Sequence, residues 1–419
     1  MGPQNLSAPA RTGPRPLPLH LGAAMMMWQS SLAALQIARH GLLPWKAPLD
    51  AKAATLQNDL EAANPDTLTA ALGAETSRRA ETFLSAIDAY QHHPYRRRMK
   101  EPPVIWSAGA ARLLDYGALA GASPGAPVVL LVPSLINRAY ILDLQPRRSF
   151  ARYLVRRGLR PMLLDWGTPG ADEQTYGLDD YILTVLNGAL SAACKAGGGP
   201  VALLGYCMGG LLTLPAALAR PSDVAALVNL ATPWDFHADG GVQRDMVMAM
   251  SGPFRQVLGG LGNMPVDLLQ AMFAGLDPLL ALRKFTAFAA LESDSAQARN
   301  FVALEDWLND GVPLAGPVAD ACLFAWYGEN QTAQGNWQVG GKPVRPEALT
   351  MPFLNVVPSS DRIVPPNSAL ALSDCVPHAE TLRPSLGHIG MMVSPRAPRE
   401  LWRDLADWLR AVDFGAPHG

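Results

Sequence analysis

The chain has 419 residues, 49% of them hydrophobic and only 17% charged, with a net charge of −2. That composition supports a large buried core and excludes wholesale disorder. The near-neutral balance lacks the basic face that a phosphate backbone demands, so nucleic acid is not an expected partner.

Residues 1–20 are Pro-rich and predict a disordered tail. Residues 21–100 predict a helical segment. From Leu21 to Ala38 there is no charge, but Gln29, Ser30, Ser31 and Gln36 interrupt the stretch, while Met25, Trp28, Leu32 and Leu35 recur at helical spacing. This fits an amphipathic, packing or surface-seeking helix better than a membrane span, which needs about 20 predominantly apolar residues. The run from His92 to Arg98 has the composition of a solvated basic linker, with no third ligand to turn His92 and His93 into a metal site.

The rhythm changes after Pro103. Val104–Trp106 and Ala111–Tyr116 predict two short strands across a Gly turn. Val128–Val132 is a continuous apolar run, as expected of a strand buried on both faces. Strands at Pro161–Asp165, Val201–Gly205 and Val224–Leu230 then alternate with helical patterns, which implies βαβ units and a parallel sheet. The alternation breaks near Asp235 and resumes with a strand at Phe353–Val357 and a last helix near Arg399–Val412. The expected organisation is a catalytic core at 101–235 and 346–419, with 236–345 as a helical lid insertion.

The sharpest local signal is Gly205-Tyr206-Cys207-Met208-Gly209-Gly210, directly after an apolar strand. A strand that turns sharply into a helix exposes the residue at its apex, and small neighbours are needed because backbones crowd there. At the helix N-terminus the dipole favours a thiolate and a developing oxyanion. Cys207 is therefore the candidate nucleophile. Asp361, just beyond the strand at 353–357, and His388, framed by Gly387 and Gly390, follow in the order nucleophile, acid, histidine. His237 is the main rival as base, or a lid-hinge residue. In this scheme His388 takes the thiol proton and Asp361 orients the imidazole. The backbone N–H of Met208 and a second from the loop after 128–132, near Leu135 or Ile136 and assigned to Ile136, would form the oxyanion hole. The four cysteines, at 194, 207, 322 and 375, include no Cys-x-x-Cys pair, so neither a metal site nor a disulfide framework is expected, and a cytoplasmic location is.

Several segments together resemble the polyhydroxyalkanoate synthases. They are Pro133–Pro146 with its Ile-Asn-Arg and Asp-Leu-Gln-Pro runs, Asp165-Trp166-Gly167, the cysteine box at 205–210, Thr232–Phe236, Asp306-Trp307 with Asp310, Tyr327 with Asn330, Asp361–Pro365 and Gly387–Gly390. The resemblance implies an α/β-hydrolase fold, a mostly parallel sheet with helices on both faces plus a helical lid. It implies an acyltransferase that polymerises 3-hydroxyacyl-CoA through a cysteine thioester and releases CoA. Coenzyme A thioester is then a substrate, and no resident cofactor is called for. The implied partners are the polyester chain or granule surface and a second copy or partner subunit, the length being nearer that of the shorter class. The alternatives are a hydrolase on the same scaffold (thioesterase, esterase or polyester depolymerase) and a non-catalytic relative binding granule or membrane surfaces through residues 21–44. One departure is Gln331-Thr332 after Asn330, where the family carries a basic residue and leucine.

Overall fold

The computed structural model describes residues 11–123 and 125–415, which divide into two compact units. One unit holds the described residues up to Arg96 together with Gln270–Asn309; the other holds Arg97–Leu269 and Asp310 onward. The stretch 236–345, expected as one insertion, is thus divided, with 270–309 grouped with the N-terminal helices and the rest with the sheet.

The first unit is helical, with helices at Leu17–Arg39, Asp50–Ala62, Pro65–Gln91, Leu280–Ala289 and Ala296–Asn309. Its core joins Trp28, Phe83, Tyr90 and Phe285 with Val302 and small alanines. Trp28–Phe83 and Phe83–Phe285 meet edge-to-face at 6.2 and 6.3 Å, the arrangement that ring quadrupoles favour. Two expectations are corrected here. Residues 1–10 of the expected disordered tail lie outside the described residues, but 11–20 are ordered. Arg11 donates to the carbonyls of Tyr90 and His93 at 3.3 and 2.7 Å and pairs with Asp306 at 2.5 Å, and a helix starts at Leu17. A buried guanidinium with several acceptors holds the chain that composition alone would leave loose. The 92–98 linker is not wholly solvated either: His93 is buried, and its Nε2 lies 2.8 Å from the Ser293 carbonyl.

The second unit is built on eight strands: β1 (Val104–Ala108), β2 (Ala111–Asp115), β3 (Val128–Val132), β4 (Arg160–Asp165), β5 (Val201–Tyr206), β6 (Val224–Leu230), β7 (Phe353–Val356) and β8 (Ala379–Leu382). Their spatial order is β1-β2-β4-β3-β5-β6-β7-β8. The β1–β2 hairpin and the β2–β4 pair are antiparallel; every other neighbouring pair is parallel. Helices 150–156, 187–197, 208–219 and 366–375 connect successive parallel strands and pack against them. Every residue of β3 and β5 is buried, which explains their unbroken apolar runs. β8, with its exposed Glu380 and Thr381, is an edge strand without such a run and has no counterpart in the sequence reading. In a parallel sheet of this kind the loops beyond the strands' carboxyl ends lie side by side, and that is where the candidate residues fall.

Candidate active site

The chain leaves β5 at Tyr206, turns at Cys207 and enters the helix Met208–Ala219. Cys207 has φ 57° and ψ −126°, a region that residues with a Cβ rarely occupy. Such a conformation costs on the order of 1–3 kcal/mol and survives only where packing enforces it. The enforcement is visible. A Cβ on Gly209 would run into the Val132 carbonyl at the end of β3, and one on Gly210 into the Thr232 side chain beyond β6. The helix start is therefore seated directly on the ends of two neighbouring strands, and Cys207 N–H donates to the Leu230 carbonyl at 2.8 Å.

Asp361 sits in the loop after β7 and His388 in the loop after β8, and both are buried. His388 Nδ1 donates to Asp361 Oδ2 at 2.7 Å. The other carboxylate oxygen accepts the backbone N–H groups of Ile363 and Val364 at 2.8 and 3.0 Å, which fixes the carboxylate plane. With Nδ1 committed to Asp361, Nε2 is the ring nitrogen that remains for another partner. Burial by itself lowers the affinity of His388 for its proton. The negative charge of Cys207, the hydrogen bonds to Asp361 and Cys207, and the Asp361 charge outweigh burial and raise its pKa to about 10. The balance of these contributions keeps the buried His388 ring protonated at neutral pH.

The structure thus brings Asp361 and His388 together, with Cys207 close enough for its charge to act on the imidazole. Met208 opens the helix, where the first N–H groups have no partner within the helix. Ile136 is different. Its N–H donates to Ser134 Oγ at 3.2 Å, so the amide assigned to the oxyanion hole is already engaged by its own loop. A Ser two residues upstream forms this turn locally. His237 does not join the site as a base: its Nε2 faces the Tyr327 carbonyl at 2.8 Å and must carry the proton there. Its backbone N–H donates to Asp235 Oδ1, which also accepts from Asn330 Nδ2, each at 2.8 Å. Asn330 in turn accepts the Phe236 N–H at 2.9 Å, so the segment after β6 is pinned by a side chain far along the chain.

Three further residues lie near Cys207. Tyr206 lies 5.2 Å ring to ring from His388, and its hydroxyl donates to the His388 carbonyl at 3.3 Å. Burial, reinforced by the Cys207 charge, raises the pKa values of Tyr206, Cys322 and Tyr327, so each stays protonated. Tyr206 stands beside the apex and Tyr327 belongs to the resemblance given above, whereas Cys322, more than a hundred residues from Cys207, carried no signal in sequence. Among the described residues no group of three or more His, Cys, Asp or Glu side chains is placed to hold a metal ion, and no helix is long and apolar enough to cross a membrane.

Comparison with known proteins identifies the family and the fold. A family model described as "alpha/beta hydrolase fold" matches residues 127–395, and one described as "Poly-beta-hydroxybutyrate polymerase (PhaC) N-terminus" matches residues 99–154. A poly(3-hydroxyalkanoate) polymerase subunit PhaC of Allochromatium vinosum is 31% identical over 310 residues, 73% of this chain and 87% of that protein. The chain belongs to the PhaC family of the α/β-hydrolase fold. The subunit of the same name from Synechocystis is 33% identical over 290 residues, covering 67% of this chain and 77% of that one. That of Haloferax mediterranei is 33% identical over 310 residues, and the match spans 63% of its length, less than two thirds. Within the family's pattern, the departure at Gln331-Thr332 has a structural role: Thr332 is buried and its hydroxyl donates to the Trp234 carbonyl, adding a tie to the segment that Asn330 holds.

Proposed function

We propose that the protein is an acyltransferase that polymerises 3-hydroxyacyl groups from coenzyme A thioesters, with Cys207 as nucleophile, His388 as acid and base, and Asp361 as the residue orienting His388. The Cys207 thiolate attacks the thioester carbonyl, the carbon–sulfur bond to CoA breaks, and the imidazolium proton goes to the leaving thiolate. The hydroxyl of another 3-hydroxyacyl group then attacks the Cys207 thioester. His388 Nε2 accepts its proton, an ester bond forms and the thiolate is regenerated. Thioester exchange is nearly isoenergetic, so the acyl group stays activated between the two steps. In this reading coenzyme A enters only as part of the substrate, no resident cofactor takes part, and the protein works in the cytoplasm at the surface of the polyester it builds, as a homodimer or with a partner subunit.

The observation that supports this most is a cysteine, rather than a serine, at the strained apex beside a buried His–Asp pair 2.7 Å apart, in a chain whose relatives carry the polymerase name. The test is incubation with 3-hydroxybutyryl-CoA, with the protein alone and with a candidate partner subunit. CoA release above the level of Cys207→Ala, an acyl adduct on Cys207 and a polyester product are expected. Free 3-hydroxy acid without polymer would replace the polymerase reading with a hydrolase, and no release in either format would remove the acyltransferase reading.

A further inference from the structure

The loop after β3 has two ends, and the structure treats them differently. Its start lies against the elbow: the Val132 and Pro133 carbonyls face Gly209, and Trp166 Nε1 donates to the Pro133 carbonyl at 2.9 Å. Asp165-Trp166-Gly167, singled out by its sequence alone, thereby acquires a role in holding that strand end. The far end of the loop is tied to a short segment, Asp310-Gly311-Val312. Val312 N–H donates to the Ile136 carbonyl at 3.2 Å, and Asn137 pairs with Gly311 in an antiparallel bridge. Asp310 then spans two loop side chains. One carboxylate oxygen faces Arg138 Nε at 3.4 Å and the other accepts from the Tyr140 hydroxyl at 3.2 Å. Tyr140 is itself covered by the Arg97 guanidinium, 4.9 Å from its ring centre.

A loop whose backbone N–H is to meet a developing oxyanion has to be rigid, because such donors act only when preorganised within a fraction of an ångström. Loop residues 136–140 have no strand or helix of their own to supply that rigidity until Ala139, so it is imported through these contacts. We infer that Asp310 is a positioning residue for the acylation step: by bridging Arg138 and Tyr140 it sets the loop that presents a backbone N–H to the thioester oxygen at Cys207. The inference rests on the acyltransferase reading of Cys207.

The test compares two reactions at the same sulfur. Alkylation of Cys207 by iodoacetamide passes through no oxyanion, whereas acylation by 3-hydroxybutyryl-CoA does. Deleting an oxyanion donor outright costs about 10²–10³ in rate, and a displaced donor should cost part of that. In Asp310→Ala the acylation rate constant should fall about tenfold or more with little change in the half-saturating substrate concentration, while the alkylation rate stays within about twofold of wild type. Asp310→Asn keeps an amide oxygen for the Tyr140 hydroxyl and should recover most of the acylation rate. Wild-type acylation in Asp310→Ala would overturn the inference, as would acylation and alkylation falling in parallel. If the wild-type protein is alkylated normally yet never acylated, the acyltransferase reading fails first and takes this inference with it.

Discussion

Replacing Cys207 with alanine tests the electrostatics of the site directly, through the proton on His388. Burial disfavours the imidazolium, so its elevated pKa depends on compensating charges. The Cys207 charge is the largest of these, followed by the hydrogen bonds to Asp361 and Cys207 and the Asp361 charge. The rise from the ordinary 6.5 to about 10 corresponds to an imidazolium favoured by on the order of 5 kcal/mol. Cys207→Ala removes the charge and one hydrogen bond but leaves the ring buried among the same neighbours. The raising contributions shrink while the lowering one stays, so the sign of the change is downward. We expect the midpoint to fall by about one pH unit or more, equivalent to about 1.4 kcal/mol. The assay is a titration of the ¹³C-labelled histidine ring by NMR from acid to alkaline pH in both proteins, with His388→Gln to assign the signal. An unchanged midpoint in Cys207→Ala, or a wild-type His388 that titrates below 6.5, would refute this balance of charge against burial.

Two further predictions concern the scaffold. Gly209→Ala should destabilise the protein by about 1–3 kcal/mol or more, because its new methyl meets the Val132 backbone, which cannot yield; Gly259→Ala, in the helix Ser251–Leu261 with open space around it, should instead stabilise by about 0.5–1 kcal/mol. Denaturant melts of the two variants read opposite signs from the same chemical change. Asp143 is buried and accepts from Arg152 at 2.8 Å and the Tyr116 hydroxyl at 3.0 Å, with Arg97 at 3.5 Å. Asp143→Ala strands that positive charge and should cost about 3–5 kcal/mol in the same melts, and a cost below about 1 kcal/mol would mean that water replaces the carboxylate.

The parts of the fold legible in sequence are those whose cause is local. β3 and β5 announced themselves because a strand covered on both faces must be apolar at every position. The elbow was legible because its strained turn tolerates only small neighbours, and Gly205, Gly209 and Gly210 are the trace of that crowding. β8 escaped notice because an edge strand carries polar residues such as Glu380 and needs no apolar run. The order of Arg11 escaped for another reason: a Pro-rich stretch has no periodic pattern, and its anchors, the Tyr90 and His93 carbonyls and Asp306, lie far along the chain.

The same division runs through the candidate site. Sequence alone determined which residues are chemically fit for it: a cysteine between small residues, a carboxylate after a late strand, and a glycine-framed histidine in the right order. Tertiary structure alone decided how they are used. It set Asp361 and His388 2.7 Å apart, engaged the Ile136 amide with Ser134, set the His237 ring against the Tyr327 carbonyl, and brought Tyr206 beside the imidazole. The reason is physical. Residue type and local crowding are written in neighbouring positions, whereas hydrogen-bond direction and the balance of burial against charge depend on atoms contributed by distant segments, whose meeting only the folded sheet brings about.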